Sequence, residues 1–125
     1  SSLPAQQLTY FLFSTGLWSS TIMDSVQLKY LENCLSKDDL LIFFSVSGSV
    51  GSYKEIIEYC KENNIRTAMV TMNDSEYLKK SVTYYFLLPM LSIYNPNNNK
   101  NFHRIDNRSI FNIFIEILVS FYTPQ

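Results

Sequence analysis

Residues 40–62 read LLIFFSVSGSVGSYKEIIEYCKE, and three signals follow one another in them. Residues 40–46 are an apolar run rather than an alternating one. Such a strand is expected where helices cover both faces of a sheet. The next six residues, Ser47-Gly48-Ser49-Val50-Gly51-Ser52, break the pattern with small polar side chains. From Tyr53 the apolar residues Tyr53, Ile56, Ile57 and Cys60 recur on one helical face, with Lys54, Glu55, Glu58 and Lys61 off it. Ser52 and Glu55 have capping-box spacing, so Ser52 is expected to cap this helix. Asn63-Asn64 is expected to close it.

Outward from this unit the chain alternates. Towards the C-terminus, residues 66–71 (RTAMVT) form a strand, Asn73-Asp74-Ser75 a turn, and Glu76–Lys80 a brief helix. Residues 84–88 (YYFLL) form a further strand stopped by Pro89. Towards the N-terminus, Leu28, Leu31 and Leu35 mark a short amphipathic helix over 26–35. Residues 8–14 (LTYFLFS), ended by Thr15-Gly16, read as a buried strand and turn. Alternation of this kind gives a parallel sheet with right-handed crossovers. Residues 92–108 are asparagine-rich and read as a mobile surface loop. Residues 110–122 read as a helix, with Ile110, Ile113, Phe114, Ile117, Leu118 and Phe121 at helical spacing, widened by Phe111, Ile115 and Tyr122. So apolar a helix is expected to sit in the core or at a subunit interface. The expected fold class is α/β: a three-layer α/β/α sandwich with a mostly parallel, Rossmann- or flavodoxin-like sheet, as one domain over residues 1–125.

Composition narrows the function. The chain has 125 residues, a formal charge of −1, 46% hydrophobic residues and 17% charged ones, which excludes a disordered tail. Near-neutrality argues against a nucleic-acid-binding face, which would need a basic patch. Cys34 and Cys60 make no disulfide framework; both are expected to be buried thiols in a reducing cytoplasm. No apolar run is long enough for a membrane span. One His and two separated Cys give no metal cluster, and no cofactor motif is present.

The chemistry concentrates in the turn after the first quoted strand. In an open parallel sheet, ligands bind beyond the carboxyl ends of the strands. A helix start there offers unpaired N–H groups to an anion. Ser45, Ser47, Ser49 and Ser52 add neutral donors, and Gly48 lets the backbone approach a ligand. The turn lacks the lysine of a nucleotide-binding P-loop and the G-x-G-x-x-G of a dinucleotide site. On these grounds alone, an oxyanion seat and a plain helix-capping turn weigh about equally.

Residues 24–90 resemble the sugar isomerase (SIS) domain, and within that family the domain of RpiR-type transcriptional regulators. The family's strand end S-x-S-G-x-T matches Ser45, Ser47 and Gly48. Its following strand, ending I-T before a serine-containing loop, matches Val70-Thr71 and Ser75. Its next strand end matches Leu87-Leu88-Pro89. More loosely, Asn107-Arg108 resembles the start of the family's closing helix. The resemblance implies a phosphorylated sugar as ligand, its phosphate on Ser45, Ser47, Gly48, Ser49 and Ser52. Two positions depart from the pattern. Val50 stands where the family has Thr. The segment Ser14-Thr15-Gly16-Leu17-Trp18-Ser19 replaces the family's first loop, G-x-G-x-S, and only residues 17–22 separate Gly16 from Met23. An abbreviated domain, or a segment missing between Gly16 and Met23, is expected.

The resemblance implies a non-catalytic effector domain, homodimeric, reaching DNA only through a separate helix-turn-helix absent from this sequence. The alternative is an aldose–ketose phosphosugar isomerase, which needs an acid–base pair. His103, Glu55, Glu58 and Glu116 are the candidates. Glu55 and Glu58 are better read as cap and solvated helix positions, Glu116 as a partly buried one, and His103 as a loop residue without a catalytic role. Trp18, Tyr84 and Tyr85 are expected in the core or an interface.

Overall fold

The computed structural model describes residues 2–22, 25–90, 92–93, 105–106 and 109–121. Its elements are α1 (Ser2–Ser14), α2 (Ser25–Tyr30), β1 (Leu40–Ser45), α3 (Lys54–Glu62), β2 (Arg66–Thr71), α4 (Glu76–Ser81), β3 (Tyr84–Leu87), β4 (Ser92–Ile93), β5 (Ile105–Asp106) and α5 (Ser109–Ser120). Short 3-10 turns follow α2 at Leu31–Asn33 and precede α3 at Gly51–Tyr53.

The fold is α/β. β1, β2 and β3 form a parallel sheet in that order. Ser45 lies opposite Thr71, and Thr71 opposite Leu87, so the three strands end level. Alternation of side chains across a strand sends successive residues to opposite faces. Phe43 and Met69 enter one core with Leu28, Leu31, Ile56, Ile57, Cys60 and Leu78. Phe44 and Val70 enter the other with Leu8, Phe111 and Ile115. Helices α2, α3 and α4 cover the first face; α1 and α5 cover the second. This is why β1 and β2 are apolar without alternation.

The N-terminal element differs from its sequence expectation in kind. Residues 8–14 belong to α1, not to a strand. The helix begins further back, with Pro4 in its first turn, where a missing N–H costs nothing. Ala5, Leu8, Phe11 and Leu12 turn inward at helical spacing, while Leu3, Tyr10 and Phe13 are exposed. Gly16 closes α1. Its φ is +87°, its N–H donates to Phe13 O at 3.1 Å, and Leu17 N–H donates to Leu12 O at 2.9 Å. This is a Schellman cap. Ser14 and Thr15 hydroxyls bond back to Phe11 O and Leu12 O. The segment Ser14–Ser19 is therefore a helix end, not a ligand loop after a strand.

The same cap ends α3 as expected: Asn64 has φ +56° and Ile65 N–H donates to Cys60 O at 2.9 Å. In α5, Phe111 and Ile115 are the buried pair, whereas Ile113, Ile117 and Phe121 face outward. Within the described residues α5 is therefore buried on one side only. Cys60 is buried but Cys34 is exposed, contrary to expectation. Burial, then the nearby Glu32 carboxylate, pushes the Cys60 thiol pKa up. Trp18 is 88% exposed, so it belongs to no core. Of the asparagine-rich segment, Ser92–Ile93 and Ile105–Asp106 pair as a short antiparallel ladder.

Candidate functional site

The turn between β1 and α3 lies at the carboxyl edge of the sheet, beside the β2–α4 turn. Its shape comes from its own serines. Ser45, the last residue of β1, is buried, and its Oγ accepts from Gly48 N–H at 3.1 Å. Ser47 is exposed, and its Oγ accepts from Ser49 N–H at 3.2 Å. A serine oxygen that accepts these bonds keeps its own hydrogen to donate. Among the described residues, the Ser49 hydroxyl is exposed. The turn thus presents neutral hydroxyl donors, with two of its amides held by side-chain oxygens.

Gly48 is required where it stands. Its φ is +68°, and a Cβ there would lie 2.9 Å from Asn73 O and 3.2 Å from Thr71 Oγ1. The β2–α4 turn thus presses directly on the serine turn. Asn73 Nδ2 donates to Ser47 O at 3.0 Å, tying the two together. Ser75 caps α4, its Oγ accepting from Leu78 N–H at 3.3 Å. Tyr85, from β3, accepts from Ser75 N–H at 3.0 Å and lies within bonding distance of Asn73 O and Asp74 Oδ1. Lys79 sits 2.9 Å from Asp74 Oδ1 and 3.1 Å from Glu76. The Lys79 hydrogen bond, against a weaker effect of desolvation, lowers the Asp74 pKa; the Asp74 bond, then the Glu76 bond, raises that of Lys79.

The structure thus brings Ser45, Ser47, Gly48 and Ser49 into one turn. Ser52 falls in the 3-10 turn Gly51–Tyr53. The residue preceding α3 is Tyr53, which makes no side-chain cap bond, so Ser52 does not stand at the cap position expected for it. Val50 packs against the first core, which accounts for an apolar residue where the family pattern has a hydroxyl. Of the acid–base candidates, Glu55, Glu58 and Glu116 are exposed, Glu116 contrary to expectation. Glu58 accepts from Tyr77 OH at 3.2 Å. His103 and Asn107-Arg108 lie outside the described residues. Among the described residues no group of three His, Cys, Asp or Glu could hold a metal, and no helix is long and apolar enough to cross a membrane. Sequence reasoning missed Asn73, which read only as part of a turn; nothing in the sequence says which loop its amide meets.

The architecture matches solved structures closely. An RpiR transcription factor sugar isomerase domain from Sphaerobacter thermophilus superposes with a TM-score of 0.76 over 98% of this chain, at 14% identity. The chain has the fold of a sugar isomerase domain. The NanR protein of Vibrio vulnificus, solved in complex with ManNAc-6P, shares it with a TM-score of 0.72 over 97% of this chain, at 16% identity. A candidate sugar-phosphate isomerase from Listeria monocytogenes shares it with a TM-score of 0.70 over 97%, at 19% identity. The chain spans 64%, 44% and 64% of the lengths of these three, respectively. No family model matches the sequence, and no curated protein matches it either. Likeness at this level of identity is likeness of fold.

Proposed function

We propose that residues 1–125 act as one phosphosugar-binding domain. The sugar's phosphate rests on the turn formed by Ser45, Ser47, Gly48, Ser49 and Ser52. The observation that carries this reading is the turn itself: neutral hydroxyls at the carboxyl end of a parallel strand, directly before a helix. Ser47 and Ser49 meet the phosphate through their hydroxyls, Ser45 holds Gly48 from beneath, and Ser52 contributes from the turn that opens α3. The ManNAc-6P complex of NanR on the same fold supports a phosphorylated sugar as the ligand class.

The domain binds its sugar without converting it. Glu55 and Glu58 lie on the solvent side of α3, and Glu58 is engaged by Tyr77. In this reading it is the effector domain of an RpiR-type regulator of carbohydrate metabolism in the cytoplasm, with DNA contacted only by a separate helix-turn-helix. It pairs with a second copy through the largely apolar outer face of α1 and α5, where Tyr10, Phe13, Ile113 and Ile117 are exposed and Glu116 is the single charged residue of the two helices. No cofactor is involved.

Calorimetric titration with hexose and amino-sugar 6-phosphates tests the reading. Binding of at least one of them is expected, and Ser47→Ala is expected to weaken it by about 1.5–3 kcal/mol, the worth of a hydrogen bond to a charged group. No heat with any of them contradicts it. The isomerase reading draws on the Listeria neighbour. It requires exchange of the proton beside the carbonyl of fructose 6-phosphate in deuterated water, lost on His103→Ala or Glu116→Gln.

A further inference from the structure

The peptide between Ser47 and Gly48 is held from both sides. Its N–H donates to Ser45 Oγ at 3.1 Å, and its C=O accepts from Asn73 Nδ2 at 3.0 Å. A trans peptide points these two groups in opposite directions, so a rotation of the plane would break both bonds together. Gly48 makes such a rotation sterically cheap, because it tolerates either sign of φ. One bond comes from within the turn. The other comes from a residue 26 positions away, on another loop.

Asn73 is itself fixed. Its N–H donates to Thr71 Oγ1 at 3.2 Å, and its C=O accepts from the same hydroxyl at 3.3 Å. Thr71 is fully buried at the end of β2. The Tyr85 hydroxyl stands 3.4 Å from Asn73 O and 3.3 Å from Asp74 Oδ1, and Lys79 holds Asp74 from the α4 side. The backbone on either side of the Asn73 amide is therefore braced by β2, β3 and α4.

We propose that Asn73 is a positioning residue for the serine turn: its amide holds the Ser47 carbonyl away from the ligand seat, so that hydroxyls rather than a carbonyl oxygen face the phosphate. A carbonyl rotated into that seat would set the negative end of a peptide dipole against a dianion. The inference rests on the reading of the turn as the phosphate seat, but its structural half can be measured without ligand.

Three proteins decide it: the full chain, Asn73→Ala and Asn73→Asp. Asn73→Asp keeps the shape of the side chain and replaces the donor with an oxygen. Both variants are expected to accelerate hydrogen exchange at the Gly48 amide and to shift the Ser47–Ser49 backbone resonances, with the melting temperature little changed. ManNAc-6P, the probe used in calorimetry, is expected to bind Asn73→Ala about tenfold more weakly than the unaltered chain, the net worth of one hydrogen bond. Unchanged Gly48 exchange in both variants overturns the inference, as does unaltered ManNAc-6P binding by Asn73→Ala. If the unaltered chain binds no ManNAc-6P while both variants still accelerate Gly48 exchange, the anchoring of the peptide stands and the ligand reading fails for that sugar.

Discussion

The two helix layers of this sheet end in different surfaces. Helix α3 buries Ile56, Ile57 and Cys60 and turns Lys54, Glu55, Glu58, Lys61 and Glu62 outward. Its outer side is stitched to α4: Tyr77 OH donates to Glu58, Lys54 Nζ lies 5.9 Å from the Tyr77 ring centroid, and Lys61 Nζ donates to Lys80 O. That is a surface made for water. The opposite layer is built differently. Helix α1 carries no charged residue and α5 only Glu116. Phe44 and Phe111 meet edge-on beneath them at 5.7 Å, and above them Tyr10, Phe13, Ile113 and Ile117 stand in solvent. Exposed apolar side chains with a single carboxylate, Glu116, among them suit the pairing proposed for this face. Apolar residues packed in the core and apolar residues left exposed give the same signature in a helix sequence, and the structure separates Phe111 and Ile115 from Ile113 and Ile117.

The largest effect expected from this difference is on stability. Ile57→Ala removes a fully buried side chain from the charged layer and should cost about 2–5 kcal/mol in denaturant unfolding. Ile117→Ala, the same truncation at a position 56% exposed on α5, should change monomer stability by no more than about 0.5 kcal/mol. Equal losses would erase the distinction between the layers. Ile117→Lys should instead weaken self-association in sedimentation experiments, and no change there removes the interface from α5.

A smaller effect belongs to the carboxyl edge of the sheet. Gly48→Ala forces a side chain into a left-handed conformation and against Asn73 O, and should destabilise by about 1–2 kcal/mol in thermal unfolding. Wild-type stability in that variant would mean that the two turns are not packed as described. The smallest effect is electrostatic. Asp74 has a depressed pKa, so its contribution is present above the unfolded carboxylate value and fades as pH falls through the folded one. Lys79 has a raised pKa, so its contribution is present below the unfolded lysine value and fades as pH rises through the folded one. Both groups are open to solvent, so salt should shrink the effect. Replacing Lys79 by Met should flatten the acid limb of the stability profile slightly; an unaltered limb would assign the pair no role.

Most of the sheet was legible because its signals were local. The apolar runs at 40–46 and 66–71, the Ile56, Ile57 and Cys60 stripe and the Asn63-Asn64 cap each needed only neighbouring residues. Residues 8–14 were misread for the reason that separates the layers. A helix apolar on its outer face as well as its inner one loses its periodicity, and LTYFLFS then looks like a buried strand. That error carried Gly16 with it, since a glycine after a strand suggests a loop, whereas here it closes a helix by the cap that Asn64 supplies to α3. The serine turn was legible as composition and position. Its internal bonds from Gly48 to Ser45 and from Ser49 to Ser47 were not, nor was the contact with Asn73, which depends on the register that sets Ser45 beside Thr71.

The central claim is that a phosphorylated sugar is held by the turn after β1. Backbone amide resonances followed during titration with ManNAc-6P and related hexosamine 6-phosphates test it most directly. Saturable shifts centred on residues 45–52, with smaller ones at Thr71 and Asn73 and none on the outer face of α1, are the result the account predicts. Shifts centred elsewhere, or none at millimolar sugar phosphate, would contradict it.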